Sequence, residues 1–448
     1  MTRIRRIIAA SLVALIATGC SDDVEQPLIP EYPPSGGSLV NRASIIGAPS
    51  LETTIVEMIS DGNVGFYFAG LYNGERVVGR LATDGTIVWT TPTGFSVDDI
   101  VRMPAATGPL ANALVAAGWS GNGNEEAFRG VVSLYSHTGA ALDTLEYVGT
   151  NDKWLRSAIL TSQSPPSSFE CVTVGGTEVG DILHPMTIRF GVTSPGTLSK
   201  LEENILADTD AVFAHVVPQA GQPVAGHFVI ASLYPGGSFE GSAIWHLTDL
   251  QTVSWQTGIA GQVGEQPFLD SARWINSTIV AVGNVRVTKR EKSWPTALAV
   301  CLSQTGSINW IQSWILSDHE DDFSSCFVIG GEIIAVGQYG SFQWINTKRR
   351  YGLGLLAKIN PATGDLTASR TFGGSSYSSK FNAVLSDGTL AFTAGWTKGY
   401  IAGFGYQGWL AEIRVSEMTG NQLAPPPELT DDVVLPASNR IQALAPMR

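Results

Sequence analysis

The stretch that decides the fold is "LATDGTIVW" at residues 81–89. It reads as an apolar strand, a tight turn at Asp84-Gly85 and a second strand. Residues 301–310, "CLSQTGSINW", and residues 358–366, "KINPATGDL", show the same order of apolar run, turn and second run. Asp and Gly tolerate the positive φ that short hairpins require. The chain therefore contains the same β-hairpin several times, which predicts a repeat architecture.

The hairpin turn recurs at a steady interval. The second residues of successive turns are 54, 57, 55, 55, 58 and 56 positions apart, and the fourth turn lacks Gly. The turns are Asp84-Gly85, Thr138-Gly139, Pro195-Gly196, Leu250-Gln251, Thr305-Gly306, Thr363-Gly364 and Thr419-Gly420.

A second marker, independent of the turn, has the same number of copies. It is an apolar run that ends in two small residues, at intervals of 48, 57, 57, 51, 54 and 58 positions. The pairs are Ala69-Gly70, Ala117-Gly118, Val174-Gly175, Ala231-Ser232, Val282-Gly283, Val336-Gly337 and Ala394-Gly395. Two markers that agree on seven copies make the repeat a firm prediction.

Each copy holds four short apolar runs of strand length, and helical spacing is almost absent. Four antiparallel strands in units of about 45–55 residues are typical of propeller blades. We predict an all-β chain folded as a seven-bladed β-propeller of four-stranded antiparallel blades. The propeller domain is expected at residues 38–424, with blades at about 51–97, 98–150, 151–209, 210–266, 267–321, 322–377 and 378–424.

The last blade needs a strand from elsewhere in the chain. Residues 421–428, "NQLAPPPE", contain three consecutive Pro, which cannot donate ladder hydrogen bonds. We predict that residues 38–46, "SLVNRASII", complete the blade and close the ring, with residues 431–437, "DDVVLPA", as the alternative. Residues 425–448 would then form a Pro-rich C-terminal tail.

The repeats resemble the blades of bacterial surface-lipoprotein propellers, of the type "DGGYIVAG…WLVKLDxxGNIxW". Their outer strands are similar to pyrroloquinoline-quinone-type repeats with the turn "TGxxxW". "DGTIVW", "TGSINW" and "TDLQTVSW" keep the tryptophan of that pattern at Trp89, Trp310 and Trp255, whereas the other units lack it. The resemblance covers roughly residues 50–424. It implies propeller blades and does not specify a ligand or a reaction.

The N-terminus reads as a processing signal. "MTRIRR" is basic, "IIAASLVALIA" is apolar but too short to span a membrane, and "ATGC" ends at Cys20. This resembles a bacterial lipoprotein signal at residues 1–19, which implies acylation of Cys20. Residues 20–37 would tether the body to the bilayer, and Ser21 favours the outer membrane of the cell envelope. The alternative is a simple cleaved secretory signal.

Composition excludes one class of partner and leaves the redox state open. The chain has 27 basic and 40 acidic residues, a net charge of −13, so we predict no nucleic-acid role. Cys171, Cys301 and Cys326 match no metal-binding spacing and read as buried free thiols, although a bridge between the last two is conceivable.

The loops between the second and third strands are long and aromatic, and in a propeller they share a face. Two neighbouring loops of this acidic chain are rich in Lys and Arg, which suits an anionic glycan or an acidic patch of an envelope protein. The candidate ligand-binding residues are Arg286, Lys289, Arg290, Lys292, Trp294, Phe342, Trp344, Lys348, Arg349, Arg350 and Tyr351. The alternative is neutralisation of residues 317–322, "SDHEDD".

A second candidate is a ring of carboxylates near the channel mouth that would attract Ca²⁺. We expect no other cofactor. The members of the ring open the first strands and are Asp99, Asp152, Asp210, Asp270 and Asp322. The alternative is that these carboxylates hold the incoming loops through backbone N–H groups.

No GxSxG elbow, P-loop, HExxH, CxxCH or GxGxxG followed by a helix occurs, and His215 lies in a strand-like apolar run that suggests a structural role. We therefore expect no enzyme, but a monomeric, lipid-anchored binding or scaffold module that recognises a glycan or a protein. One alternative is a propeller enzyme, quinoprotein-like or glycan-cleaving. Another is a scaffold that resembles the propeller lipoprotein of outer-membrane assembly.

Overall fold

The structure is a computed structural model of the 448-residue chain. It describes residues 39–47, 51–62, 64–104, 110–121, 128–147, 151–164, 168–180, 182–206, 209–218, 226–259, 265–289, 292–317, 320–340, 343–345, 348–350, 352–373, 378–398 and 406–423. The predicted signal segment, Cys20, the tether and the C-terminal tail lie outside the described residues.

The described chain is built from short strands with two single-turn 3₁₀ helices, Pro235–Gly237 and Val415–Glu417. The strands of the first half are β1 (Val40–Ile46), β2 (Thr54–Ser60), β3 (Gly65–Tyr72), β4 (Glu75–Ala82), β5 (Ile87–Pro92), β6 (Ser96–Arg102), β7 (Leu114–Ser120), β8 (Arg129–Tyr135), β9 (Ala141–Tyr147), β10 (Lys153–Ser164), β11 (Ser168–Val179), β12 (Ile182–Thr193), β13 (Thr197–Ile205), β14 (Ala211–Pro218), β15 (His227–Leu233), β16 (Gly241–Leu247) and β17 (Val253–Gly258). The remaining strands are β18 (Glu265–Ile275), β19 (Thr278–Lys289), β20 (Lys292–Ser303), β21 (Ile308–Trp314), β22 (Asp322–Ile329), β23 (Glu332–Tyr339), β24 (Gln343–Ile345), β25 (Lys348–Arg350), β26 (Leu353–Ile359), β27 (Leu366–Phe372), β28 (Ser378–Ser386), β29 (Ala391–Lys398), β30 (Tyr406–Ile413) and β31 (Gly420–Gln422).

The predicted fold class is confirmed: seven antiparallel four-stranded blades form a ring. Blades 1 to 5 are β2–β5, β6–β9, β10–β13, β14–β17 and β18–β21; blade 6 is β22, β23, β26 and β27; blade 7 is β28, β29, β30 and β1. Each first strand contacts the first strand of the next blade, and β28 contacts β2. The seven first strands therefore line the central channel. No helix among the described residues is long and apolar enough to span a membrane.

The ring is closed by a strand from the start of the propeller. β1 pairs antiparallel with β30, with Ala43 opposite Ala411, and so supplies the outer strand of blade 7. The Thr419-Gly420 segment instead reaches blade 6, where β31 pairs in parallel with β27. Arg370 of β27 holds it by donating hydrogen bonds to the carbonyl oxygens of Thr419 (2.6 Å) and Gly420 (2.7 Å).

The tryptophan of the repeat pattern joins neighbouring blades. Trp89 of blade 1 donates from Nε1 to the carbonyl of His137 in blade 2 at 3.1 Å. A Cβ added to Gly139 in that turn would lie 2.6 Å from the indole ring, so only Gly lets the ring close over the turn. Trp310 of blade 5 makes the same contacts with the next turn, donating to Pro361 O at 2.9 Å. The hairpin motif is thus a contact between blades.

The glycine of the small pair lies opposite a bulge in the inner strand, which lines the central channel. In blade 6 the register slips between Phe323 and Ser325, leaving Ser324 as a β-bulge in the inner strand. Phe323 pairs with Gly337, where an added Cβ would lie 2.0 Å from the carbonyl oxygen of Asp322. Gly at this position lets the bulged strand approach its neighbour.

The same bulge and the same close approach recur around the ring. Six blades have Gly opposite the residue before the bulge, and a Cβ there would lie 1.8–2.0 Å from an inner-strand carbonyl. The glycines are Gly70, Gly118, Gly175, Gly283, Gly337 and Gly395. In blade 4 the pairing residue is Ala231, one position before the Ser232 that ends the predicted small pair.

We expect Gly337→Ala to destabilise the protein by about 1–3 kcal/mol, because the new Cβ must displace backbone in a packed blade. Thermal and denaturant unfolding would measure the change. Gly258→Ala is the matched control, since an added Cβ there meets nothing within 4 Å. Equal stability of the two variants would contradict the steric role of Gly337.

Candidate active site in the central channel

The bulges turn side chains of the inner strands toward the channel. The first residue paired after each bulge is polar in six of the seven blades. These residues are Glu57, Asp99, Ser157, His215, Ser271, Ser325 and Ala383. The same structural position therefore carries Ser in three blades and Glu, Asp, His or Ala in the other four, and most of these residues can take part in acid–base chemistry or hydrogen bonding.

A cavity of about 260 Å³ lies among the inner strands of blades 1 to 5. Its lining residues come from the middle and the C-terminal parts of those strands, toward the strand 1 to strand 2 turns. The strand 2 to strand 3 connections lie at the opposite face. Only two residues separate strand 2 from strand 3 in blades 1, 3 and 5, so the prediction of long loops is wrong for these blades. The lining residues are Glu57, Ile59, Asp99, Ile100, Ala158, Ile159, His215, Val216, Val217, Arg273 and Trp274.

Four side chains from consecutive blades lie in contact along the wall of this cavity. Ser157 Oγ donates to Asp99 Oδ2 at 2.6 Å. His215 Nδ1 lies 3.4 Å from Ser157 Oγ, and its Nε2 lies 3.4 Å from Nη1 of Arg273. Nε2 also lies 3.3 Å from the carbonyl oxygen of Ala272, which can only accept a hydrogen bond, so we assign the His215 proton to Nε2.

Asp99 is a buried carboxyl group that accepts three hydrogen bonds. Burial raises the pKa of Asp99 on balance, while hydrogen bonds from Ser157, Ala158 N and Ile100 N oppose that rise. The backbone bonds are short, 2.9 Å from Ala158 N and 2.7 Å from Ile100 N. These bonds favour the ionised form of the carboxyl group.

Glu57 is the protonated partner. Burial and the negative charge of Asp99 raise the pKa of Glu57 to about 8, with Arg273 opposing the rise. Its carboxylate accepts only one backbone bond among the described residues, from Met58 N at 3.1 Å. Two carboxyl groups that share a cavity and differ in hydrogen bonding lose their protons at separate pH values. Asp99, which accepts three hydrogen bonds, therefore ionises before Glu57, which accepts one.

His215 does not add a charge. Burial and the neighbouring Arg273 lower the pKa of His215 to about 3, so the imidazole is neutral over the physiological range. Nε2 of the ring donates to the carbonyl oxygen of Ala272 at 3.3 Å, which orients the imidazole between Ser157 and Arg273. A neutral imidazole does not compete with Arg273 for anions.

The other half of the channel carries separate charges. Arg156 pairs with Asp98 at 2.6 Å, and Lys380 pairs with Asp322 at 3.0 Å. Burial raises the pKa of Asp270, which lies near the latter pair, to about 7. These ion pairs join the inner strands of blades 2 and 3 and of blades 6 and 7.

The five Asp residues of the predicted ring have different surroundings. Asp99 lines the cavity. Asp152 accepts from Phe128 N at 2.8 Å, and Asp210 accepts from Leu183 N and Gly237 N at 3.4 Å, so both hold loops. Asp270 and Asp322 lie in the other half of the channel. Among the described residues, no three His, Cys, Asp or Glu side chains are grouped to hold a metal ion.

The basic loops lie mostly beyond what the structure describes. Arg290, Phe342 and Tyr351 fall outside the described residues, and the exposed Arg286 is the member whose side chain is described. The backbone places the others on two hairpins, with Lys289 opposite Lys292 in β19–β20 and Trp344 opposite Arg349 in β24–β25. The proposal of an anionic ligand there stays a prediction.

Cys171, Cys301 and Cys326 are buried free thiols.

Sequence reasoning missed Glu57, Ser157 and Arg273 as site residues and gave His215 a structural role only. A signal was present, since Asp99, Ser157, His215 and Arg273 follow one another at intervals of 58 residues. The residues paired after the bulge recur at about this interval in blades 2 to 4, whereas in blade 5 that residue is Ser271 and Arg273 lies two positions further along β18. Reading the inner strands for residues that vary within a repeated position would have found the site.

No protein-family model and no curated protein matches this chain. Among solved structures, it is similar to virginiamycin B lyase from Staphylococcus aureus (TM-score 0.44, 9% identity, 83% of this chain and 99% of that chain). It is also similar to the polysaccharide lyase Uly1 (TM-score 0.48, 9% identity, 84% and 99%). A third similar structure is BBS1N in complex with ARL6DN (TM-score 0.49, 10% identity, 83% and 97%). At such identities these comparisons show the propeller fold alone.

The comparisons correct one prediction. Absence of a sequence motif led us to expect no enzyme, yet solved propellers similar to this chain include two lyases. The BBS1N complex shows that a propeller of this kind also binds a partner protein. Neither the lipid anchor nor the resemblance to quinone-type repeats is shown by these structures.

We expect the stability of the wild type to fall as pH rises from about 4.5 to about 8, in part through Glu57. Its pKa is about 8 in the folded protein against 4.5 for an ordinary Glu, so the folded state binds the extra proton in that window. Glu57→Gln, which cannot ionise, should lose this part of the pH dependence and gain on the wild type as pH rises. Thermal unfolding across pH 4 to 9 measures it, with the exposed Glu75→Gln as control. Parallel curves for the wild type and Glu57→Gln would show that Glu57 ionises normally.

Proposed function

We propose that the protein is a lipid-anchored propeller enzyme of the cell envelope that cleaves a glycan by acid–base chemistry in the central channel. The observation that carries this proposal is the pair Glu57 and Asp99, two carboxyl groups in one cavity that differ in hydrogen bonding, so that Asp99 ionises before Glu57. Such a pair provides a proton donor and a proton acceptor at the same pH.

The chemistry follows from the protonation states. Glu57 gives its proton to the glycosidic oxygen as the bond from that oxygen to carbon breaks. Asp99 takes a proton from the water whose oxygen forms the new bond to carbon. The two products then carry every atom of the glycan and the water. A proton passing from Asp99 to Glu57 through solvent restores the starting state.

The cavity walls suit a sugar ring better than a polymeric surface. Trp274 and the aliphatic side chains of Ile59, Ile159 and Val217 provide apolar contact, and the polar groups are few and placed together. Pockets of this composition orient a small ligand through a few polar groups. The polysaccharide lyase Uly1 has the same fold, which is in keeping with glycan cleavage by a propeller but shows nothing of this site.

The anchor is part of the proposal because of the N-terminal sequence alone. Cys20 follows a basic, then apolar, then small-residue segment. Acyl chains on Cys20 would hold the propeller at the outer membrane, where extracellular or periplasmic glycan reaches it.

We expect Glu57→Gln to lower kcat on a cleaved glycan by about 10²–10⁴, the usual contribution of a general acid. Activity should follow a bell-shaped pH profile that falls on its alkaline side near pH 8, where Glu57 loses its proton. The measurement is reducing-end release from a panel of neutral and acidic polysaccharides. Glu75→Gln serves as the matched control.

Full activity of a folded Glu57→Gln variant on any glycan that the wild type cleaves would overturn the assignment of the acid. If the wild type cleaves no member of the panel, and its Glu57 titrates like an ordinary Glu, the proposal of an enzyme fails.

We expect Cys20→Ser to release the protein from the membrane fraction into the soluble fraction. The thiol is the acylation site of a lipoprotein signal, and without it no acyl chains are attached. Fractionation of cells and metabolic labelling with palmitate measure the change. Cys171→Ser, a buried thiol in blade 3, is the control. If Cys20→Ser stays in the membrane fraction, the anchor lies elsewhere.

A further inference from the structure

We propose that Arg273 is the specificity residue of the cavity and binds the carboxylate of a uronate-bearing glycan. This inference rests on the proposed function, since it names the substrate class of the same site. It depends on three properties of Arg273: its free donors, its fixed orientation and the apolar wall beside it.

Arg273 makes no salt bridge to a carboxylate within the described part of the chain. Its hydrogen bonds there come from one atom, Nη1, which donates to the carbonyl oxygen of Ala272 at 3.2 Å and faces His215 Nε2 at 3.4 Å. Arg156, also on an inner strand, shows the alternative, because its Nη1 pairs with Asp98 at 2.6 Å. A guanidinium group has five N–H donors, so most of those on Arg273 remain for a ligand in the cavity.

The contacts that Arg273 does make set its direction. Ala272 belongs to the same inner strand, and His215 belongs to the neighbouring blade, so Nη1 is held from two sides. Burial and Arg273 itself keep His215 neutral, with its pKa lowered to about 3, so the ring does not repel the guanidinium group. A pre-oriented planar fork matches a carboxylate through two parallel N–H···O bonds.

The wall beside Arg273 fits a ring that carries the carboxylate. Trp274 lines the cavity and stacks on Phe228 behind it, with ring centroids 5.2 Å apart and planes 13° apart. This stacking fixes the indole, whose remaining surface faces the cavity with Val217. A cavity of about 260 Å³ is smaller than the pockets of drug-sized ligands and suits a single sugar residue.

The charges of the cavity admit one negative group near neutral pH. Arg273 is positive and His215 is neutral. Glu57 is protonated below about pH 8. Above that pH the negative charge of Glu57 would face the ligand, so binding of a carboxylate should weaken as Glu57 ionises, whereas binding of a neutral sugar should change little.

Binding is to be measured with Glu57→Gln, in which the cleavage step is removed. The probes are oligomers of glucuronate, galacturonate and mannuronate, each paired with the same oligomer after reduction of its carboxyl groups to hydroxymethyl groups. Isothermal titration should show at least one uronate oligomer binding about tenfold or more tighter than its reduced partner. Adding Arg273→Gln should abolish this preference, and adding Arg273→Lys should restore part of it. Adding Arg414→Gln, an exposed arginine paired with Glu417, should leave it unchanged.

The outcomes separate the two proposals. Equal binding of every uronate oligomer and its reduced partner, or a preference that survives Arg273→Gln in a variant with an unchanged melting curve, overturns the role of Arg273. If that preference is lost with Arg273 but the wild type cleaves none of the oligomers, the binding site stands and the enzyme proposal fails. If the wild type cleaves neutral glycans alone and Arg273→Gln does not change this cleavage, the proposal of a glycan-cleaving enzyme is supported. The proposal that Arg273 binds a uronate carboxylate is then refuted.

Discussion

The close approach of backbone to backbone beside each inner-strand bulge is the constraint on which the rest of the structure depends. At Gly118 and Gly175 the space that a Cβ would need is already occupied by an inner-strand carbonyl oxygen, 1.8 Å away. Only a small residue lets the bulged strand stay in its blade. The bulge in turn sets which side chains face the channel. The need for a small residue in the second strand of each blade thus helps to determine which side chains of the first strand face the channel.

Repetition and function are divided between positions of the same blade. Turn glycines and tryptophans hold blades together, so they recur and carry no specificity. The residue paired after the bulge has no such role in packing, and it is Ser in three blades and Glu, Asp, His or Ala in the other four. Asp99, Ser157 and His215 hold this position in blades 2 to 4, and Arg273 lies two residues beyond it in blade 5, a grouping that no short sequence motif encodes.

The fold could be predicted from the sequence, whereas most of the candidate site could not. The reason is physical. Blades arise from local signals, such as the Asp84-Gly85 turn and its repeats, which are visible in a few residues. A channel site arises from residues about 58 positions apart, and its geometry depends on register slips that leave no mark in composition. Loop length directed attention to the basic residues of blades 5 and 6, on the face opposite the cavity. Of the residues around the cavity, the sequence analysis selected Asp99 as a candidate ligand, and it assigned Asp99 to a metal-binding ring of carboxylates.

Burial explains why the cavity is asymmetric in charge. An ionised group deep in a protein must be stabilised by hydrogen bonds or by an opposite charge. Asp99 has both, three hydrogen bonds and the distant Arg273, whereas Glu57 has one backbone bond and a negative neighbour. The second proton therefore stays on Glu57, and Arg273 keeps donors free because it makes no salt bridge with a carboxylate of the described residues. The same arrangement that makes Glu57 an acid leaves the guanidinium group available to an anionic ligand.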